Sequence, residues 1–335
     1  MTIELLGAPG SPYTRKMLAV LRYRGIAYRV HWGTHREPMP GYPAPKVALL
    51  PTFYLPGDDG VEAVTDSTPI ITRLDRDHPG PKVRPDDPLL RFLDLLIEDY
   101  ADEWLTKAMF HYRWAHAADA ENAGPLLAYW LDSTLSDEDG ARLSAQLTKR
   151  QQDRLTVVGS NAVTAEVIEE SYHRFLRLLN RRISDRGFVL GARPGAADFA
   201  IYGQMTQLGI VEPTSAAVLK QTSARLRAWI DRVEDLSGLA PGEEDWLDDP
   251  TALRDLLSEI GRTYVPALLG NAAAVERGDT TFETEIDGRP WQQSTFPYQA
   301  KCLVWLREAW RDLPTAARDQ AGDILAGTGC DQLFA

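Results

Sequence analysis

The sequence predicts an α/β unit at the N-terminus followed by an all-helical body, with a C-terminal extension that contains a β-hairpin. Three observations carry this. Strand-like and helix-like runs alternate through the first 75 or so residues. Between His78 and Pro88 the chain reads His-Pro-Gly-Pro and then Pro-Asp-Asp-Pro, a density of breakers that marks a linker. From Leu89 onward, apolar residues recur at three- and four-residue spacing. At 335 residues the chain exceeds one typical domain. The expected boundaries are 1–78 for the α/β domain, 79–88 for the linker, 89–240 for the helical domain and 241–335 for the extension.

Ile3-Glu4-Leu5-Leu6 is the first strand. Ser11 then stands at an N-cap and Pro12 at the first helical position, where no N–H is needed. Such a strand-to-helix turn aims a hydroxyl, free N–H groups and the positive end of a helix dipole at one spot, which favours an anion such as a thiolate or a carboxylate. A helix cap alone would also account for Ser11. After a poorly periodic connection, residues 49–55 read as a strand entered through Leu50-Pro51. Gly57-Asp58-Asp59-Gly60 forms a turn and Val61-Glu62-Ala63-Val64 returns. Asp66-Ser67-Thr68-Pro69 opens a second helix. The order is β-α-β, connection, β-β-α.

In the helical body Phe92, Leu93, Leu96, Ile97, Tyr100 and Trp104 share one apolar face. Asp99, Glu103, Lys107 and His111 follow at four-residue spacing. Lys107 interrupts a metal reading of that stripe, so it is taken as a solvated or inter-domain ion-pair face, and no metal is expected. His111 and His116 could line a cavity or simply pack. Further helices are expected over 126–135, 139–155 and 165–183, with a turn at Gly187 and a buried helix from Asp198 to about Leu208. In the extension, residues 280–286 alternate, Asp287-Gly288 turns, and Arg289-Pro290-Trp291-Gln292 returns as an edge strand. An amphipathic helix carrying Cys302, Trp305 and Trp310 follows. The extension either closes a substrate cavity with its aromatics, thickens the core or builds a dimer contact.

Net charge is −12, unevenly spread. Residues 1–80 hold nine Lys/Arg against eight Asp/Glu, and the remainder holds 27 against 40. An acidic body repels nucleic-acid phosphates and anionic lipid, so neither partner is expected. Two distant cysteines form neither a metal cluster nor a disulfide framework, and no secretory signal or membrane span is evident. A cytoplasmic location fits best.

In their order and spacing these segments resemble the glutathione transferase superfamily, whose N-terminal domain is thioredoxin-like. Ser11-Pro12-Tyr13-Thr14 falls where relatives carry Cys-Pro-Tyr-Cys, Leu50-Pro51 at the family's cis-proline, and Asp66-Ser67 at its acidic-Ser pair. Residues 191–202 resemble the capping motif of the helical domain, with Gly195 replacing the usual Ser or Thr cap. There Asp198 should accept backbone N–H bonds.

The resemblance is to a serine- or cysteine-type bacterial member with a long extension. It implies a homodimer that uses glutathione as co-substrate, and an all-helical domain that selects a small hydrophobic electrophile. Ser11 is the implied catalytic residue, its hydroxyl stabilising the glutathione thiolate. The backbone of Leu50 beside Pro51 should pair with the cysteinyl moiety, while Asp66 meets the γ-glutamyl ammonium and Ser67 its carboxylate. Tyr13 could shape the wall or pack. His35, Arg36 and Lys46 are candidates for the glycine carboxylate, since the family's lysine two residues before the cis-proline is missing. Isomerisation or dehalogenation would use the same thiolate, and a non-catalytic binding or scaffold protein is the reading of another class.

Overall fold

A computed structural model describes residues 2–34, 39–58 and 60–335. Its N-terminal sheet has the order β2-β1-β3-β4, with β1 at Ile3–Gly7, β2 at Tyr28–Trp32, β3 at Thr52–Gly57 and β4 at Gly60–Val64. β1 and β2 run parallel, and the other two pairings are antiparallel. The two inner strands are the apolar ones: Ile3, Leu5, Leu6, Phe53, Tyr54 and Leu55 are all buried. Helix α1 (Pro12–Tyr23) and helix α2 (Ser67–Asp77) complete a thioredoxin-like domain.

Helix α3 (Pro88–Tyr100) begins at Asp87, whose carboxylate accepts from Leu90 N, with Pro88 in the first turn. A π turn at Ala101–Leu105 joins it to α4 (Thr106–Ala115). The apolar face expected from Phe92 to Trp104 is buried throughout. Helix α5 (Ala117–Leu131) starts well before the expected position, running through Pro125, because Ala120 and Ala123 pack beside Trp114 and hold its first turns. Then come α6 (Asp137–Gln152), α7 (Ala165–Arg186), α8 (Ala196–Thr206), α9 (Pro213–Thr222) and α10 (Ala224–Val233). Helix α7 ends at Gly187, whose φ of 94° is the left-handed cap that glycine adopts without strain. Helices α1 and α8 approach so closely that a Cβ at Gly203 would lie 2.4 Å from the Pro12 carbonyl oxygen. That contact seats the start of α1 on the helical body.

Asp198 accepts from Val189 N at 2.9 Å and Gly195 N at 3.0 Å, as the capping motif implies. Gly195 has a structural reason. An added Cβ would lie 2.6 Å from Asp94 Oδ1, and that same oxygen accepts from Ala197 N at 2.9 Å. Asp94, arriving from α3, takes the place of the missing capping side chain.

The extension holds two helices that the sequence reading did not assign, α11 (Arg254–Arg277), masked by Gly261, Pro266 and Gly270 along its length, and a shorter one over residues 315–325. The expected hairpin forms from β5 (Thr281–Ile286) and β6 (Arg289–Ser294), turning at Asp287 and Gly288, both with positive φ. Helices α12 (Pro297–Arg311) and α13 (Thr315–Leu325) follow. Among the described residues, no helix is long and apolar enough to cross a membrane.

Candidate active site

Strand register gathers the predicted residues at one end of the sheet. Leu6 at the end of β1 pairs with Thr52 at the start of β3, and Phe53 pairs with Val64 at the end of β4. The turn after β1, the Leu50-Pro51 bond and the Asp66-Ser67 corner therefore share an edge. Leu50-Pro51 is cis, as the resemblance implied. Lys46 is exposed on the connecting loop, while His35 and Arg36 lie outside the described residues.

Ser11 caps α1 from an extended backbone, its Oγ accepting from Thr14 N at 3.2 Å. Acceptance uses an oxygen lone pair and leaves the hydroxyl proton free to donate. Ser11 is half-buried. Arg113 holds the preceding residue in place, donating from Nη1 to Gly10 O at 3.1 Å while Nε meets Glu212 and Nη2 meets Gln207. Leu127 and Trp130 of α5 border Gly10; a Cβ there would lie 2.8 Å from the Trp130 ring. An apolar wall thus stands beside a hydroxyl at a helix N-terminus. Thr14, where relatives have a second cysteine, is fully buried and accepts from Ala8 N. Tyr13 turns away from this wall: its hydroxyl donates to Asp102 O at 2.8 Å in the π turn. Burial, then the nearby Glu103 and Asp102 carboxylates, raise its pKa well above the ordinary value, so the phenol stays neutral.

Lys16, one turn further along α1, is fully buried and was missed by the sequence reading. Its ammonium donates to Ser67 Oγ at 2.8 Å, Glu98 Oε1 at 2.8 Å and Asp102 Oδ2 at 2.6 Å, which uses all three protons. Glu98 also accepts from Arg84 and from Thr68 Oγ1, and Arg84 reaches Asp94 at 2.9 Å. Burial works to raise the Glu98 carboxyl, but Arg84 and Lys16 outweigh it and hold it at about 2. Asp102 has only Lys16 against burial, and sits at about 6. This chain of buried charges ties α1, the Ser67 corner and α3 together.

Asp66 caps α2 with a φ of 80°, its Oδ1 accepting from Thr68 N. Its other oxygen, Oδ2, accepts from the Tyr298 hydroxyl at 2.9 Å. The extension therefore reaches the corner assigned to the γ-glutamyl group. The remaining aromatics divide. Trp310 stacks on Phe334 and Trp291 packs on Trp104, both thickening the core, whereas Trp305 is partly exposed beside Tyr298.

The stripe on α3 and α4 is not a solvated face, and apart from His111, which lies 3.1 Å from Glu169, its members are not ion-paired. The extension and the loop before α7 bury it. Asp99 accepts from Tyr264, Glu103 from Gln299, Lys107 donates to Gln293, and His111 meets Ser160. Burial pushes the Asp99 carboxyl to about 7 and the Glu103 carboxyl to about 8, and lowers Lys107 to about 8. Spacing alone cannot distinguish such a seam from an exposed charged face.

A family model for the glutathione S-transferase N-terminal domain matches residues 5–82, and one for the C-terminal domain matches residues 161–232. The chain belongs to the glutathione S-transferase superfamily and is glutathione transferase-like in both domains. Among solved structures it is similar to the β-etherase LigF from Sphingobium sp. strain SYK-6. That match has 18% identity and a TM-score of 0.50, covering 70% of this chain and 95% of that one. Rice GST1 in complex with glutathione matches at 17% identity and a TM-score of 0.44, covering 72% and 92%. The comparison with curated proteins found no match.

Proposed function

We propose that this protein is a glutathione transferase that activates the glutathione thiol for attack on a small hydrophobic electrophile. The observation that carries the reading is the Ser11 hydroxyl, free to donate at the N-terminus of α1 beside the Leu127–Trp130 wall. A free thiol has a pKa of about 8.5, and each unit of depression needs about 1.4 kcal/mol. One charge-assisted hydrogen bond together with the helix dipole supplies that amount. Leu50 and Pro51 would pair with the cysteinyl backbone, Asp66 and Ser67 would receive the γ-glutamyl end, and Tyr13 would brace the site from behind. The division of labour follows the expected segments: 1–78 binds glutathione, 79–88 links, 89–240 selects the electrophile and 241–335 covers the body. Two buried free thiols, Cys302 and Cys330, agree with a reducing cytoplasm, and family membership supports a homodimer. Glutathione-dependent isomerisation or dehalogenation would use the same thiolate.

The test is Ser11→Ala with the ultraviolet absorbance of bound thiolate followed against pH. The expected result is a higher thiol pKa and slower conjugation at neutral pH, with little change in glutathione affinity. An unchanged titration curve would reduce Ser11 to a helix cap. A second reading, a non-catalytic binding or scaffold protein, draws support from Tyr298 on Asp66 and Lys16 on Ser67, which already engage the γ-glutamyl partners. Calorimetry separates the two, since a scaffold that has lost the site takes up no glutathione even at millimolar concentration.

A further inference from the structure

Across the helical body, on the face of α4 turned toward α7, three side chains converge that the thiol chemistry does not use. His111 comes from α4, His116 from the junction of α4 and α5, and Glu169 from α7. Their ligand atoms all lie within 4.8 Å of one another. Glu169 Oε1 stands 3.1 Å from His111 Nε2 and 3.2 Å from His116 Nε2. We propose that His111, His116 and Glu169 form a site for one divalent transition-metal ion, zinc by ligand type, that fastens the α4–α5 junction to α7.

Ligand spacing supports this. Bonds of about 2.0–2.1 Å arranged tetrahedrally put neighbouring ligand atoms about 3.3 Å apart. Both nitrogen-to-oxygen separations are close to that edge. Orientation adds a second argument. His116 Nε2 is buried with no hydrogen-bond partner, although Glu169 Oε1 is near, so the oxygen lies off the axis an N–H bond requires. A cation placed among the three atoms relieves that mismatch without needing the oxygen on the N–H axis.

The surroundings hold the rings as ligands need to be held. Without an ion His111 Nε2 hydrogen-bonds Glu169 Oε1 at 3.1 Å; with one bound, Ser160 Oγ, 2.8 Å from His111 Nδ1, would accept the N–H there and turn the Nε2 lone pair to the metal. Tyr112 stacks on the His116 ring at 5.3 Å with an interplanar angle of 14°, and the two imidazoles stand nearly perpendicular at 83°. The side chains of His116 and Glu169 are 32% and 38% exposed, which gives an ion a path in and a water a fourth position. Two imidazoles and a carboxylate are borderline ligands that suit zinc, cobalt or nickel better than calcium or magnesium.

The test uses tag-free, chelator-dialysed full-length protein, titrated with Co(II) in the absence of glutathione and followed by visible ligand-field absorbance, with Zn(II) in competition. The expected result is saturation at one ion per chain, displacement by zinc, and a zinc-dependent rise in melting temperature. Glu169→Gln and His116→Ala should each weaken binding by at least about tenfold and abolish that rise. Both positions are partly exposed, and circular dichroism checks that the variants fold; should His116→Ala unfold, Glu169→Gln alone decides. Failure to saturate with about 100 µM zinc, an affinity far weaker than a built three-ligand site gives, would overturn the proposal. Equal binding by wild type and Glu169→Gln would overturn it too, leaving the cluster a histidine–carboxylate contact.

Discussion

Tyr298 and Asp66 are 232 positions apart in sequence, yet the phenol donates to the carboxylate across 2.9 Å. The bond joins the extension to the corner of the thioredoxin-like domain that the proposed function gives to the γ-glutamyl ammonium. Burial raises the Asp66 pKa against the pull of Tyr298 and Lys16, so this carboxylate gains from any further donor or cation.

If the ammonium competes with Tyr298 for Asp66, Tyr298→Phe should tighten glutathione binding by a few-fold to about tenfold, which is up to about 1.4 kcal/mol. Isothermal calorimetry measures it. A weakened affinity would instead show that Tyr298 orients the carboxylate for the ligand.

Asp66→Asn tests the same corner from the other side. Asparagine caps a helix about as well as aspartate and tolerates the positive φ found here, so the melting temperature without ligand should move little. Glutathione affinity should fall roughly ten- to a hundredfold, the loss of a charge-assisted contact worth about 1.5–3 kcal/mol. Intact affinity with a lowered melting point would make Asp66 purely architectural.

Lys16→Met should destabilise the folded chain by about 3–5 kcal/mol, because Glu98 and Asp102 lose the buried cation between them. Adding Asp102→Asn should recover part of that loss. Denaturant unfolding of the two variants reads the difference, and a second substitution that recovers nothing would break the assignment of Asp102 to this network.

Stability should also fall as pH rises from about 5 to 8. Asp99, Glu103 and Asp198 have folded pKa values of about 7, 8 and 7, all above their unfolded values. The folded chain therefore binds more protons than the unfolded chain across this window, and the contribution present below the unfolded pKa is lost as pH passes the folded one. Each such group contributes a slope of up to about 1.4 kcal/mol per pH unit. Glu103→Gln should flatten the dependence, measured as melting temperature against pH. A wild-type profile that rises between pH 5 and 8 would contradict the protonated seam.

What could be read from sequence was local. Ser11 at its cap, Asp198 at its helix start and the turn at Asp287-Gly288 each act through neighbours fewer than ten residues away, so type and spacing suffice. Lys16 was invisible because its partners stand 51, 82 and 86 positions away, and a lysine on an amphipathic helix looks solvated until the covering element is placed. The Asp99-to-His111 stripe was misread for the same reason. Its partners come from the extension, from the loop at Ser160 and from Glu169 on α7, and nothing in the stripe itself announces them. Tyr298 belonged to a helix whose amphipathic pattern was evident, but which of its aromatics would face Asp66 depended on how α12 lies on α3.

Asp94 and Gly195 each limit what the other position can hold. Serine at 195 by itself drives a Cβ into the Asp94 carboxylate. Losing Asp94 by itself strips Ala197 of its amide's acceptor and Arg84 of one partner. Either single step carries a cost set by the other residue. The two positions therefore behave as one unit, and the cost of changing both is not the sum of the costs of changing each.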